Sequence, residues 1–219
     1  MKPGEINYSR EVKERFPELK AIFRSLKNIK VEKSSNELEK FKDAKIEELN
    51  QKLNLENLKD VPIFRKYRDF FWDLNIDPTK TRPASEALVR RALKNRDIPS
   101  INTLVDAYNI ASMESGIPLA AFDADSIEGV MKLRFAEERE EITGIGMDKP
   151  IVLDGNELII SDSKKPIAIY PYRDSKETKI TLDTKNVILL VCGAPGVKDK
   201  LKNAENKMLE YVKRFCDGE

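Results

Sequence analysis

An α+β fold is predicted from three features of the chain. Helical and strand-like segments follow one another without regular βαβ alternation, and the hydrophobic period shifts from about 3.6 residues to about 2 after Gly116. The run Val187–Cys192 is apolar at every position, as expected of a strand buried on both faces. With 219 residues the chain is long enough for one domain and an appendage, on a prior of about 150 residues per domain. The division expected is a mixed N-terminal segment, 1–60, packed on a main domain, 61–219.

Ser9 followed by Arg10–Phe16 and stopped by Pro17 reads as a short helix, and Leu19–Val31 reads as strand-like. Ser34 and Glu37 form a candidate capping box for a helix carrying Leu38, Phe41, Ile46, Leu49 and Leu53 at roughly helical spacing. Pro62 suits the first turn of the next helix, whose Val61, Phe64, Tyr67, Phe71 and Leu74 form a core stripe. Ser85–Leu93 is a further helix, and Asn102 caps another that runs to Gly116.

Beyond Gly116, Met131, Leu133 and Phe135 alternate with Lys132 and Arg134, the pattern of a half-buried strand. Ile151–Leu153, the turn Asp154-Gly155-Asn156 and Leu158–Ile160 read as a hairpin. Ile167–Tyr170 and Val187–Cys192 are further strands. Gly193, Pro195 and Gly196 then break the chain before a last helix with Leu201, Ala204, Met208, Tyr211, Val212 and Phe215 on one face.

Composition excludes more than it selects. Lys+Arg 39 against Asp+Glu 38 gives no global attraction to a polyanion, so any such contact needs a local patch. The absence of histidine removes Ser-His-Asp and Cys-His catalysis and imidazole-ligated metals. Two cysteines, Cys192 and Cys216, provide neither a disulfide framework nor a thiol metal site. No apolar run approaches the ~20 residues of a membrane span, and none at the amino terminus reads as a signal peptide, so a cytoplasmic protein is expected.

Three segments carry polar chemistry. From Thr79 to Ser100, Lys80, Arg82, Arg90, Arg91, Lys94 and Arg96 face only Glu86 and Asp97. That excess suits phosphate contact, or a solvated helix face with a Glu86–Arg90 pair at i,i+4. Tyr170-Pro171-Tyr172-Arg173-Asp174-Ser175 gathers two aromatics, a cation, an acid and a hydroxyl where a strand ends, a place where binding residues concentrate. Lys176, Lys179 and Lys185 interleave with Thr178, Thr181 and Thr184, as an exposed strand or a phosphate contact would. Asp106 and Asn109 share a helix face.

The ordered motifs Arg82-Pro83-Ala84-Ser85-Glu86-Ala87-Leu88-Val89-Arg90-Arg91, Ile98–Asn109, Gly116–Asp123, Arg173-Asp174-Ser175, Thr178–Thr181 and Asp183–Val187 resemble the B3/B4 editing domain of the phenylalanyl-tRNA synthetase β subunit, and still more the stand-alone proteins built from it. The resemblance spans Thr79 to Cys192, roughly half the chain. It implies a central β-sandwich of unusual topology flanked by helices, and an aminoacyl-tRNA deacylase working in trans without metal or organic cofactor. The implied partner is mischarged tRNA, with no DNA and no membrane. A catalytically inactive RNA- or protein-binding module of the same fold is the alternative.

Ala120 stands where the synthetase pattern has a histidine, Asp174-Ser175 where it has a glycine pair, and Leu190 or Val191 where it has a carboxylate, while Asn109 matches the helix asparagine. With that family in view, Asn109, Arg173, Asp174, Lys179 and Thr181 are expected to carry catalysis and Asp106, Asp123, Tyr170 and Ser175 to bind the substrate. Lys80, Arg82, Arg90, Arg91 and Lys94 are assigned to the tRNA backbone. A carboxylate among Asp106, Asp123 and Asp174 would receive a cationic amino acid, or an analogue such as canavanine, through charge-assisted bonds.

Overall fold

The computed structural model describes residues 6–217, and within them the N-terminal part supplies strands to the sheets. β1 (Asn7–Tyr8) leads into α1 (Arg10–Arg15), capped by Ser9, whose hydroxyl accepts the Val12 N–H. β2 (Ala21–Leu26) is shorter than the strand-like stretch around it because the chain turns at Asn28, a residue in the left-handed region (φ 56°). α2 (Asn36–Lys52) starts one residue later than its capping signal suggests. Ser35, not Ser34, accepts the Leu38 N–H at 3.1 Å, and Glu37 turns outward to Arg214.

α3 (Pro62–Asp73) begins on its proline and buries Phe64, Tyr67, Phe70 and Phe71. α4 (Ala84–Asn95) ends on Arg96 in the left-handed region (φ 52°). α5 (Thr103–Ser115) is bounded by the two residues its sequence marks: Asn102 accepts the Val105 N–H, and Gly116 (φ 69°) closes the helix. α5 then feeds directly into β3 (Leu119–Asp123), a strand with no clear sequence signal, since Ala120 and Ala121 interrupt its apolar pattern.

β4 (Lys132–Phe135) keeps the expected alternation, with Leu133 and Phe135 inward and Lys132 exposed. The hairpin expected across Asp154-Gly155-Asn156 does not form. Instead β6 (Ile151–Val152) pairs with β5 (Glu141–Ile142), and β7 (Leu158–Ser161) pairs with β4 and with β8 (Pro166–Ile169). The turn, with Gly155 at φ 91°, carries the chain from one sheet to another. β9 (Arg173–Asp174) returns against β8. The Thr/Lys run that follows is not a strand: after a 3₁₀ turn at Lys176–Thr178, the Thr184 hydroxyl accepts the Thr181 N–H and donates to Asp123.

β10 (Val187–Cys192) is buried at every position and is the middle strand of a three-stranded antiparallel sheet, order β2-β10-β3. The larger sheet has the order β1-β4-β7-β8-β9, parallel only between β1 and β4. Strands of both sheets enter one apolar cluster, whereas Ile142 of the two-stranded sheet packs with Ala136, Leu153, Ile159 and Ile169 in a smaller one. α6 (Lys198–Cys216) packs with α5, and the pair lies against β10 and β3. The architecture is therefore mixed α+β, a sandwich flanked by helices. The first 60 residues place β1 in one sheet and β2 in the other, so neither sheet is complete without them. Among the described residues no helix is long and apolar enough to cross a membrane.

Gly193, just after β10, shows how closely the edge is packed. A Cβ there would lie 2.0 Å from the backbone oxygen of Lys20 and 2.9 Å from Leu201 Cδ1. Neither the backbone atom nor the buried leucine can move away cheaply, so Gly193→Ala should cost at least the ~1–3 kcal/mol of an overpacked site. In urea the midpoint should fall with the slope unchanged.

Candidate functional site

The segment between β8 and β9 is held as a narrow loop. Ile169 pairs with Arg173 and Ala168 with Asp174, so Tyr170, Pro171 and Tyr172 form the reversal, entered through a cis Tyr170–Pro171 bond. The Tyr170 hydroxyl donates to the Gly193 carbonyl at 2.6 Å, and Tyr67 on α3 donates to the Cys192 carbonyl at 2.5 Å. Burial raises both phenols far above their ordinary value, so both remain donors at any working pH. These two buried bonds fix the loop and α3 to the end of β10.

A cavity of about 60 Å³ lies between the two sheets at this point. Its walls are Leu119 and Ala120 of β3, Leu190 and Cys192 of β10, Ile160 of β7 and Ala168 of β8, and the loop closes it with Tyr170, Arg173 and Asp174. Ala84 reaches it from the first turn of α4, a helix start with no side-chain cap, so the first N–H groups of a helix lie beside the cavity.

Asp174 is the only carboxylate in this lining, and no hydrogen bond or ion pair to its side chain is formed among the described residues. Burial pushes its carboxyl from 3.8 up to about 7. Arg173 beside it contacts Met147 Sδ through Nη1 at 3.3 Å, while its Nε is buried without a partner. Tyr108 on α5 is half-buried and is also raised by burial, with the Asp174 charge adding to the shift. The cavity thus has an acid without a hydrogen-bond partner among the described residues and, beside it, a cation held at Nη1 by the Met147 sulfur, within an apolar surround.

Of the residues assigned to the site from sequence, Tyr170, Arg173 and Asp174 meet here, beside Ala120 and Leu190, which stand where the synthetase pattern has a histidine and a carboxylate; the other assigned residues do not line the cavity. Asp106 is fully buried and accepts the Ile101 N–H at 3.0 and 3.3 Å, so it braces the turn before α5 instead of facing a substrate. Burial lifts its carboxyl to about 6 against the lowering effect of that bond. Asp123 is occupied by the Thr184 hydroxyl at 2.6 Å and the Asp125 N–H at 3.0 Å. Ser175 caps the 3₁₀ turn by accepting the Glu177 N–H, and the Thr181 hydroxyl accepts the Asp183 N–H. Asn109 is half-buried on α5, and Lys179 is exposed.

In the basic stretch, Lys80, Arg82, Arg91 and Lys94 are exposed, but Arg90 is half-buried and bonded at 3.4 Å to Glu86. The i,i+4 reading of that pair is the one the structure forms. Sequence reasoning missed Ala84, Tyr108 and Cys192. The small residues Ala84, Ala120 and Ala168 on facing elements were the available signal, since small side chains between packed layers leave room.

The family model of the B3/4 domain matches residues 66–217. Similar curated chains include the phenylalanine–tRNA ligase beta subunit of Lactobacillus johnsonii, 32% identical over 166 residues covering 74% of this chain and 20% of that one. That of Psychrobacter arcticus is 38% identical over 117 residues, covering 52% and 14% respectively. This chain therefore spans a fifth or less of the length of these relatives. Among solved structures, an N-terminal fragment of the phenylalanyl-tRNA synthetase beta subunit from Pyrococcus horikoshii matches with TM-score 0.50 and 14% identity, over 99% of this chain and 52% of that one. At that identity the likeness is one of fold.

Proposed function

The chain belongs to the B3/4 domain family, and from that membership we propose that it is a trans-editing deacylase hydrolysing the ester of mischarged tRNA. The observation that carries the proposal is the unpartnered Asp174 carboxylate, raised to about 7, lining the cavity between the sheets beside Arg173. A general base works best when its pKa lies near the working pH, and this one does so without histidine.

In this reading an attacking water gives its proton to Asp174 as its oxygen bonds to the ester carbonyl carbon. The oxyanion that develops takes charge-assisted hydrogen bonds from Arg173, and the N–H groups opening α4 supply a second, fixed source of positive potential. Each preorganised donor of this kind contributes ~3–4 kcal/mol to the transition state. Collapse of the tetrahedral species expels the ribose oxygen, to which Asp174 returns the proton, so tRNA and amino acid leave with the catalyst unchanged. Lys80, Arg82, Arg91 and Lys94 hold the tRNA backbone in this proposal.

A second reading rests on the same carboxylate. An unpartnered acid in an apolar pocket also suits a guanidinium or guanidino-oxy side chain, so a cationic amino acid or an analogue such as canavanine is the substrate class in which Asp174 binds instead of taking a proton.

The test is deacylation of a panel of charged tRNAs, including phenylalanine, tyrosine, arginine and canavanine esters, with spontaneous hydrolysis subtracted. Selective turnover of one ester is expected. If Asp174→Asn slows every ester alike, Asp174 acts on water; if it slows only cationic esters, it binds the side chain. Retained tRNA binding with no turnover of any ester would overturn the deacylase in favour of a binding module.

A further inference from the structure

A larger cavity, about 500 Å³, opens on the other side of β10 from the candidate site. It is formed by the N-terminal segment and the start of α6, and its polar lining is dominated by Lys13, Lys20, Lys198 and Lys202. No carboxylate lines it among the described residues. Of the four, only Lys202 has a close acidic partner among the described residues, Glu205 at 2.8 Å. Glu205 is itself fully buried and is held also by Arg24, so its charge is neutralised within the fold. The chain as a whole is almost neutral, at +1, which makes this cluster a local field and not part of a general excess.

The arrangement favours an extended polyanion over a compact one. Lys198 and Lys202 lie one helical turn apart on α6, Lys13 is on α1 and Lys20 just precedes β2, so the lysines that line the opening are distributed over three separate parts of the fold. Lys198 is also the first residue of a 19-residue helix whose N-cap, Val197, offers no side-chain acceptor, which adds uncapped N–H groups at the same end. Ile22 and Leu201 give the trough an apolar floor.

Its place in the sheet ties it to the candidate site. Ala21, in the wall of the trough, pairs directly with Cys192, which lines the smaller cavity. These two paired residues are about one strand spacing, ~5 Å, apart, so the trough and the candidate site share a stretch of sheet.

We propose that this lysine trough is an RNA-docking groove, which binds the phosphodiester backbone of the tRNA whose ester end the candidate site receives. The groove rests on the tRNA reading given above. Two of its lysines come from residues 13 and 20, outside the range matched by the family model, so the N-terminal segment contributes binding as well as strands.

The test uses the full chain and uncharged tRNA, so that binding is read without hydrolysis. The combined variant Lys13→Glu, Lys20→Glu and Lys198→Glu leaves Lys202 in its ion pair. All three side chains are exposed, and an unchanged melting curve checks the fold. Affinity at low salt should fall by tenfold or more. The slope of log K against log salt should become shallower, by ~0.7–0.9 for each phosphate no longer neutralised. Hydrolysis of a free amino-acid ester lacking tRNA should be unchanged if the protein has that activity. Unaltered tRNA affinity and salt slope in this variant, or a wild-type protein that binds no tRNA, would overturn the groove. Lysine-dependent tRNA binding by a protein that hydrolyses no ester would leave the groove standing and the deacylase reading refuted.

Discussion

Glu86→Ala is expected to cost about 3–5 kcal/mol of stability. Glu86 is fully buried at the third position of α4, and Arg68 of α3 reaches both its oxygens at 3.2 Å while Arg90 reaches one at 3.4 Å. The Arg68 side chain keeps only 15% of its exposure. Removing the acid leaves a nearly buried guanidinium without its counter-charge and a second one half-exposed, and the low local dielectric that strengthened the pair now penalises the orphan. A protein of ordinary stability, ~5–15 kcal/mol, loses a large share of it. For a chain of this size Tm should fall by roughly 6–20 °C.

The sign reverses if both partners go. Replacing Glu86 and Arg68 together by methionine exchanges a desolvated ion pair for apolar contacts of similar bulk, so the double variant should recover part of the loss, the remainder falling on Arg90, whose Nε is buried without a partner. A Glu86→Ala loss below about 1 kcal/mol in denaturant melts would show that the triad behaves as a surface pair.

Glu86 also illustrates what the sequence makes legible. Its i,i+4 relation to Arg90 is local and can be read from spacing, but the partner that matters, Arg68, is on another helix and cannot. The same division runs through the fold. α5 is bounded by Asn102 and Gly116 and α3 by Pro62 because caps and φ restrictions act within a few residues. β10 is visible as an apolar run because burial on both faces leaves no polar position.

Pairing is what local patterns do not specify. Ile151–Val152 carries a strand signal but no statement of its partner, and a good turn at Gly155 makes the adjacent strand the obvious choice when Glu141–Ile142 is the actual one. β3 is silent because alanine has weak strand preference, yet one of its two alanines, Ala120, lines the cavity that holds Asp174. Asp106 and Asp123 look like site acids in sequence, but both carboxylates are consumed by hydrogen bonds that depend on where other segments pack. The loop Tyr170–Ser175 is conspicuous by composition, and only the ordered motifs around it give it a chemical meaning.

Asp174→Asn should act in opposite directions on activity and stability, and both effects should depend on pH. On activity, loss of a positioned general base lowers the rate by ~10²–10⁴. The wild-type rate should rise with pH through an apparent pKa near 7, the value to which burial lifts this carboxyl, and the variant should lose that limb. On stability, the native state keeps a proton that the unfolded chain, with an ordinary value of 3.8, releases earlier. Between those values the folded form binds more protons, so its stability falls as pH rises and levels off above about 7.

Asparagine has no charge to desolvate, so the variant escapes this decline. It should match wild type near pH 4 and exceed it at pH 8. Each tenfold change in proton affinity is worth ~1.4 kcal/mol, and partial solvent access reduces the full difference to ~1–3 kcal/mol. A residue with a merely structural role would lose stability together with activity. Melts at pH 4 and pH 8 beside a pH–rate profile therefore decide the matter: a variant that is less stable than wild type at pH 8, or one that keeps the ascending limb, would remove Asp174 from the chemistry.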